Sequence, residues 1–156
     1  MADDYEDDDF DAGDAEASHC HPMAAGDIKK GGYIAMKGRP AKVVETSTSK
    51  TGKHGHAKMH IVAIDIFNGK KYEELHPTSH NVPVPDIERA EYSLVDVQDD
   101  GFVSLMLESG ATREDLKLPE GEVGENLKQA FDDGKDLLVS TIKAMGIEQI
   151  MSFKEI

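Results

Sequence analysis

Met59-His60-Ile61-Val62-Ala63-Ile64-Asp65-Ile66-Phe67 runs into Asn68-Gly69 and returns as Lys70-Lys71-Tyr72-Glu73-Glu74-Leu75. The first segment is rich in β-branched residues, which suit a pleated, packed surface. Asn-Gly between two such segments signals a hairpin, because both central residues of a type I′ turn need φ > 0. The stretch therefore predicts two antiparallel strands joined by a two-residue turn. Toward the N-terminus, Ala41-Lys42-Val43-Val44-Glu45-Thr46 predicts a further strand and Tyr33-Ile34-Ala35-Met36 another, with Lys37-Gly38-Arg39-Pro40 as the turn between them. Short strands at this spacing predict a small barrel over residues 22–85. Its end is expected at Val82-Pro83-Val84-Pro85. Proline cannot donate to a central ladder and holds the chain extended, so this run reads as a stiff linker and domain boundary.

Residues 86–156 repeat the β pattern with one interruption. Glu91 to Val97, Phe102 to Leu107 and Thr112 to Leu118 predict three strands, parted by Asp99-Asp100-Gly101 and Ser109-Gly110. Val123, Leu127, Ala130 and Phe131 then fall on one face of a helix. Gly134 is placed to end it. Leu137 to Ile142 and Ile147 to Phe153 supply two more strands. Three strands, a helix and two strands is the order of an OB-fold, with other small barrels still open on periodicity alone. Tyr92, Phe102 and Phe131 lie in apolar patterns and are expected in the core, not as platforms for bases.

Charge is unevenly distributed along the 156 residues, whose net charge is −14. Residues 1–21 hold nine acids and no Lys or Arg, residues 22–85 carry +5, and residues 86–156 carry −10. The total argues against nucleic acid and anionic membranes, but the middle segment is a basic module between acidic ones. The apolar share of 38% is low for a compact chain. Residues 1–21, with only Tyr5 and Phe10 as large apolar groups, are expected to be a disordered tail. A single cysteine, Cys20, rules out an intrachain disulfide and fits a reducing compartment. No apolar run approaches the roughly 18 residues needed to span a bilayer, and the acidic start does not read as a signal peptide. A soluble, cytoplasmic protein is expected, with a nuclear presence compatible with the same features.

Between the second and third strand segments lie ten residues, Ser47 to His56, without one large apolar side chain. Flanking strands would hold the ends of this run together and project it as a hairpin tip. Lys50, Lys53, Lys58, His54 and His56 make it cationic, with no acid among them. Gly52 and Gly55 bracket Lys53 and relieve the steric limits on φ, so the tip can be sharp. A plain solvated loop is the bland reading. A P-loop fails, because position 47 is Ser and position 54 is His where that pattern needs Gly and Ser or Thr. A metal site from His54, His56 and His60 lacks a nearby Cys or acid. A small enzyme using His54 or His56 as base lacks a nucleophile or carboxylate partner in the loop. Contact with nucleic-acid phosphates is supported by the charge. Arg39 and Lys42 extend that charge, although single surface cations are more often merely solvated.

The run Ser47 to Lys58, flanked by Lys37-Gly38-Arg39-Pro40 and Asp65-Ile66-Phe67-Asn68-Gly69-Lys70-Lys71-Tyr72, closely resembles the eukaryotic translation factor 5A family. Thr51-Gly52-Lys53-His54-Gly55-His56-Ala57-Lys58 matches the family's modification motif. The likeness continues through residues 77–85 and through Arg113-Glu114-Asp115-Leu116-Lys117-Leu118-Pro119-Glu120-Gly121. The acidic tail and residues 147–156 resemble the family less. Met59 stands where many members carry a smaller apolar residue, and a packing adjustment is expected there.

The resemblance implies an all-β chain of two small barrels, an SH3-like barrel followed by an OB-fold with one helix. It implies that Lys53 is the hypusine site. Deoxyhypusine synthase would add an aminobutyl group from spermidine, and deoxyhypusine hydroxylase would add a hydroxyl; no other cofactor is implied. It implies binding to the ribosome beside peptidyl-tRNA, with Lys50, Thr51, Gly52, His54, Gly55, His56 and Lys58 as the surrounding contact loop for RNA and for the synthase. The chain would assist peptide-bond formation at stalled sites such as consecutive prolines, and termination, without being an enzyme or inserting into a membrane. An RNA-binding adaptor acting off the ribosome is the alternative. The −10 charge of the second module makes a phosphate-tracking groove there unfavourable. Contact with a basic ribosomal protein, or spacing of the first domain, is expected instead.

Overall fold

A computed structural model describes residues 19–50 and 57–156. The chain forms two compact units, the first ending at Asp86 and the second beginning at Ile87. Both are built from strands, and one α-helix lies in the second.

The first unit, an SH3-like barrel, contains β1 (Cys20–Ala24), a 3-10 turn (Ala25–Asp27), β2 (Tyr33–Met36), β3 (Arg39–Lys50), β4 (Ala57–Asp65), β5 (Lys71–Pro77) and β6 (Asn81–Pro85). β2, β3, β4 and β5 form one antiparallel sheet in that order, and β1 pairs with β6. Period-two alternation puts Met59, Ile61 and Ala63 of β4 on the same core as Ile34, Met36, Ala41, Val43, Val82 and Val84. Tyr72 packs against it from β5.

Three expectations for the strands and turns of this unit need correction. Val82 to Pro85 is no linker, because it is part of the strand β6, with Val82 and Val84 in the core. Its prolines are tolerated by phase. Asp86 N donates to His19 O and Ala25 N to His80 O, both at 2.8 Å. That phase makes Cys20↔Pro85 and Pro22↔Pro83 the pairs that exchange no ladder hydrogen bonds. The missing N–H of Pro22, Pro83 and Pro85 is therefore not needed. The same ladder takes in His19, Cys20 and His21, which were expected to belong to the acidic tail; residues 1–18 lie outside the described residues.

The turn after β4 is also not the expected type I′ pair. Only Gly69 has positive φ, at 76°. The Asp65 carboxylate accepts from Phe67 N at 2.8 Å and Asn68 N at 3.1 Å, and Gly69 N donates to Asp65 O at 3.0 Å. An aspartate at the strand end captures the turn amides and widens the loop. The two-positive-φ turn occurs elsewhere, at Lys37 (55°) and Gly38 (74°), where Met36 pairs directly with Arg39.

The second unit has the OB-fold order expected: β7 (Glu88–Val97), β8 (Phe102–Met106), β9 (Thr112–Lys117), α1 (Glu122–Asp132), β10 (Leu137–Ala144) and β11 (Ile147–Glu155). The sheet runs β11-β10-β7-β8-β9. Its core holds Val103, Leu105, Leu116, Leu127, Leu137, Val139 and Ile150, with Tyr92 and Phe131 packed against it. Phe102 does not join that core. Its ring lies under the Lys117 ammonium at 4.9 Å. β9 is tied to β11 by Arg113, which donates to Glu148 Oε2 and Oε1 at 3.1 and 3.0 Å, to Tyr92 OH at 3.0 Å and to Asp115 at 2.7 and 2.6 Å. The paired carboxylates, Asp115 first and then Glu148, push the Arg113 guanidinium above its already high pKa, so it stays charged throughout. No helix among the described residues is long and apolar enough to cross a membrane.

Candidate functional site

Ser47 to Lys50, expected to belong to the connection, instead extend β3, and residues 51–56 separate β3 from β4 in sequence. Their ladder continues through Ser47↔His60, Thr48↔Met59 and Ser49↔Lys58 to Lys50↔Ala57. The two ends of the run are thereby held one strand spacing apart, about 5 Å. Thr51, Gly52, Lys53, His54, Gly55 and His56 lie outside the described residues. Of the expected contact residues, the structure places Lys50, exposed at the end of β3, and Lys58, half-buried one residue into β4.

The two arms are supported unequally. β4 is flanked by β3 on one side and β5 on the other as far as Lys58↔Pro77, and Thr78 N donates to Ala57 O at 3.0 Å. Met59, near the root, is buried on the core face and accepts from Thr48 Oγ1 at 3.5 Å. Ser47, Ser49 and Lys50 on the opposite arm are all exposed.

On the outer face, cross-strand rows lead back from the tip. Ser49, Lys58 and Pro77 form the first, Ser47, His60 and Leu75 the second, and Glu45, Val62 and Glu73 the third. His60 Nε2 lies 3.0 Å from Glu73 Oε1, which engages it away from the tip. Among the described residues no group of His, Cys, Asp and Glu is arranged to hold a metal. Glu45 and Glu73 interrupt the basic surface, so the cations near the tip are separated from Lys42, which is exposed and paired with Ile64.

Arg39 does not extend the basic face. Its Nε donates to Asp65 Oδ2 at 2.7 Å, and the Asp65 side chain has no solvent exposure. Tyr72 OH donates to the same oxygen at 3.1 Å. Burial alone would push the Asp65 carboxyl up. Arg39 and the backbone N–H groups of Phe67 and Asn68 outweigh that and hold it below the usual carboxylate range. Sequence reasoning missed Asp65. Its signal was present, as a lone carboxylate near the end of an apolar strand just before Asn-Gly.

Comparison with known proteins agrees with this architecture. Residues 18–80 match the family described as "Translation initiation factor 5A-like, N-terminal". Residues 86–154 match "Eukaryotic elongation factor 5A hypusine, DNA-binding OB fold". The chain is 59% identical over 144 residues to eukaryotic translation initiation factor 5A-3 of Solanum tuberosum, covering 92% of this chain and 90% of that one. It is 54% identical over 146 residues to factor 5A-2 of Saccharomyces cerevisiae, covering 94% and 92%. Among solved structures, a translation initiation factor 5A family protein from Naegleria fowleri superposes with a TM-score of 0.82 at 52% identity, covering 87% of this chain and 99% of that one. Two barrels in this order, matched over nearly their whole length by translation factors, place the chain in the eukaryotic translation initiation factor 5A family.

Proposed function

We propose that this translation factor acts on the ribosome through Lys53, carried on the β3–β4 tip and converted to hypusine. The observation that supports this most is the ladder itself, which runs unbroken from Glu45↔Val62 to Lys50↔Ala57. It brings both ends of a short glycine-bracketed run together beyond the last pair. Aminobutylation of Lys53 by deoxyhypusine synthase, with spermidine as donor and diaminopropane as leaving group, then hydroxylation by deoxyhypusine hydroxylase with dioxygen as oxidant, would leave a thin arm with two amines and one hydroxyl. The amines suit phosphates, and the hydroxyl can donate and accept hydrogen bonds.

Peptidyl-tRNA is the partner that such an arm fits. Proline fixes φ and can hold the reacting groups out of line. An arm that orders the acceptor end of the tRNA would recover near-attack geometry, while the ribosome catalyses the bond. Lys50, Thr51, Gly52, His54, Gly55, His56 and Lys58 form the surrounding contact loop. Termination at the same centre would be assisted in the same way.

The test uses a translation extract depleted of its own factor, with reporters that contain or lack consecutive prolines. Modified protein restores the proline reporter far more than the control. Equal rescue of both reporters, or full rescue by Lys53→Arg, contradicts the reading.

A further inference from the structure

Two turns lie side by side at the end of the first sheet farthest from the Lys50↔Ala57 pair, and they are tied together. Ile66 N donates to Pro40 O at 3.0 Å. The Asp65 carboxylate takes Arg39 on one side and the amides of Phe67 and Asn68 on the other. The β2–β3 turn and the β4–β5 turn are thereby fixed against each other. Each exposes a lysine, Lys37 in the first and Lys70 in the second. Behind them Lys42, Ile64 and Lys71 form one cross-strand row on the outer face. Lys42 and Lys71 are both exposed there, two strand spacings or about 10 Å apart.

Little negative charge offsets these cations. The Asp65 side chain has no solvent exposure and is engaged by Arg39. Glu73, in the next row, lies 3.0 Å from His60 and 3.8 Å from Lys71, and an exposed pair of that length is weak. Among the described residues Lys37, Lys42 and Lys70 have no ion-pair partner.

The backbone at Lys37 adds an independent observation. Its φ of 55° lies in the left-handed region, which is costly for a long side chain. With Gly38 at 74°, the turn has the two positive φ values for which Asn-Gly is the favoured pair. Turn geometry therefore gives no reason for lysine here. Residues held in costly backbone regions gather where they serve function. What Lys37 offers is an exposed ammonium at the apex of an anchored turn.

We propose that Lys37, Lys42, Lys70 and Lys71 form a second surface for RNA phosphates, at the opposite end of β3 and β4 from the cationic tip. Lys42 stands about 25 Å along the strand from Lys50, with Glu45 and Glu73 between, so the two surfaces meet different phosphates. RNA is favoured because the chain belongs to a family of translation factors. It fits better than an anionic membrane, since a net charge of −14 opposes approach to an extended negative plane but not local contact with a strand. Lysines on a fixed sheet face would position the backbone without reading bases. The surface does not depend on Lys53.

The experiment titrates the full chain, with Lys53 unmodified, against deproteinised large-subunit ribosomal RNA over a range of salt concentrations. Vesicles of phosphatidylcholine and phosphatidylserine are titrated in parallel. Lys42→Gln with Lys71→Gln is expected to lower the slope of log K against log salt by about 2, near one for each lost phosphate contact. Lys128→Gln with Lys154→Gln makes the same charge change at exposed positions of the second unit, and is expected to leave the slope at its wild-type value. Lys37→Asn suits the turn better, so it is expected to keep or raise the melting temperature while still lowering the slope by about 1. A wild-type slope in either folded first-unit variant overturns the proposal. So does an equal loss in the second-unit control, or a loss on the vesicles alone. Failure of the Lys53 reading would leave these slopes unchanged.

Discussion

The Asp65 carboxylate has no solvent exposure, and an isolated ion in that position would be strongly unfavourable. It is held by donors from three places: Arg39 at the start of β3, Tyr72 on β5, and the amides of Phe67 and Asn68. One side chain thus joins the β2–β3 turn to the β4–β5 turn, at the opposite end of β3 and β4 from the Lys50↔Ala57 pair. Arg39→Met removes the only one of these donors that carries full charge. It should cost about 3 kcal/mol in denaturant unfolding at neutral pH, because the carboxylate stays buried with fewer partners. The pH dependence is set by the depressed pKa of Asp65. Its contribution is fully present above the unfolded-state value, about 4, and is lost as pH falls through the lower folded-state value. The gap between wild type and Arg39→Met should therefore narrow in acid below about pH 4. A gap independent of pH would show that Arg39 acts through packing alone.

At the scale of elements, α1 depends on one close approach. A Cβ on Gly124 would lie 1.9 Å from the Pro119 carbonyl oxygen, and that backbone atom cannot turn aside. Helix propensity alone would favour alanine by about 1 kcal/mol. Overpacking against backbone costs roughly 1–3 kcal/mol. Gly124→Ala is therefore expected to lower the melting temperature by several degrees, whereas an unchanged or raised value would mean that the helix can move off Pro119. The periodicity that announced this helix placed Leu127, Ala130 and Phe131 on the core correctly, but Val123 does not join it, and Gly124 was hidden because a glycine carries no hydrophobic signal. The strands were legible wherever apolar and polar residues alternate, as in β4 and β10. β1 and β6 were not. Proline in both reads as a breaker, and only the pairing phase shows that none of the three lost amides was needed. The hairpin at Asn68-Gly69 was legible as a turn but not as a turn type, since the carboxylate that reshapes it lies outside the dipeptide. The ends of the cationic tip were not legible. Ser47, Thr48, Ser49 and Lys50 carry no large apolar side chain and read as connection, but they extend β3 and pair with β4 as far as Lys50↔Ala57.

For the whole molecule, charge and fold divide the work along the chain. The first barrel carries the cations, and the second unit's excess of acids disfavours phosphate contact there. The family places the chain in protein synthesis, and the net charge of −14 alone would have pointed away from RNA. Position resolves that conflict. Lys50 and Lys58 border the tip, while Glu45 and Glu73 sit back in the third row of the sheet. The central claim is that the tip works through a modified Lys53, and it is tested most directly on protein purified from its own cells. Proteolysis and peptide mass spectrometry should find the mass of hypusine on the peptide that contains Lys53, with Lys50 and Lys58 unmodified. An unmodified Lys53 in that protein would contradict the account.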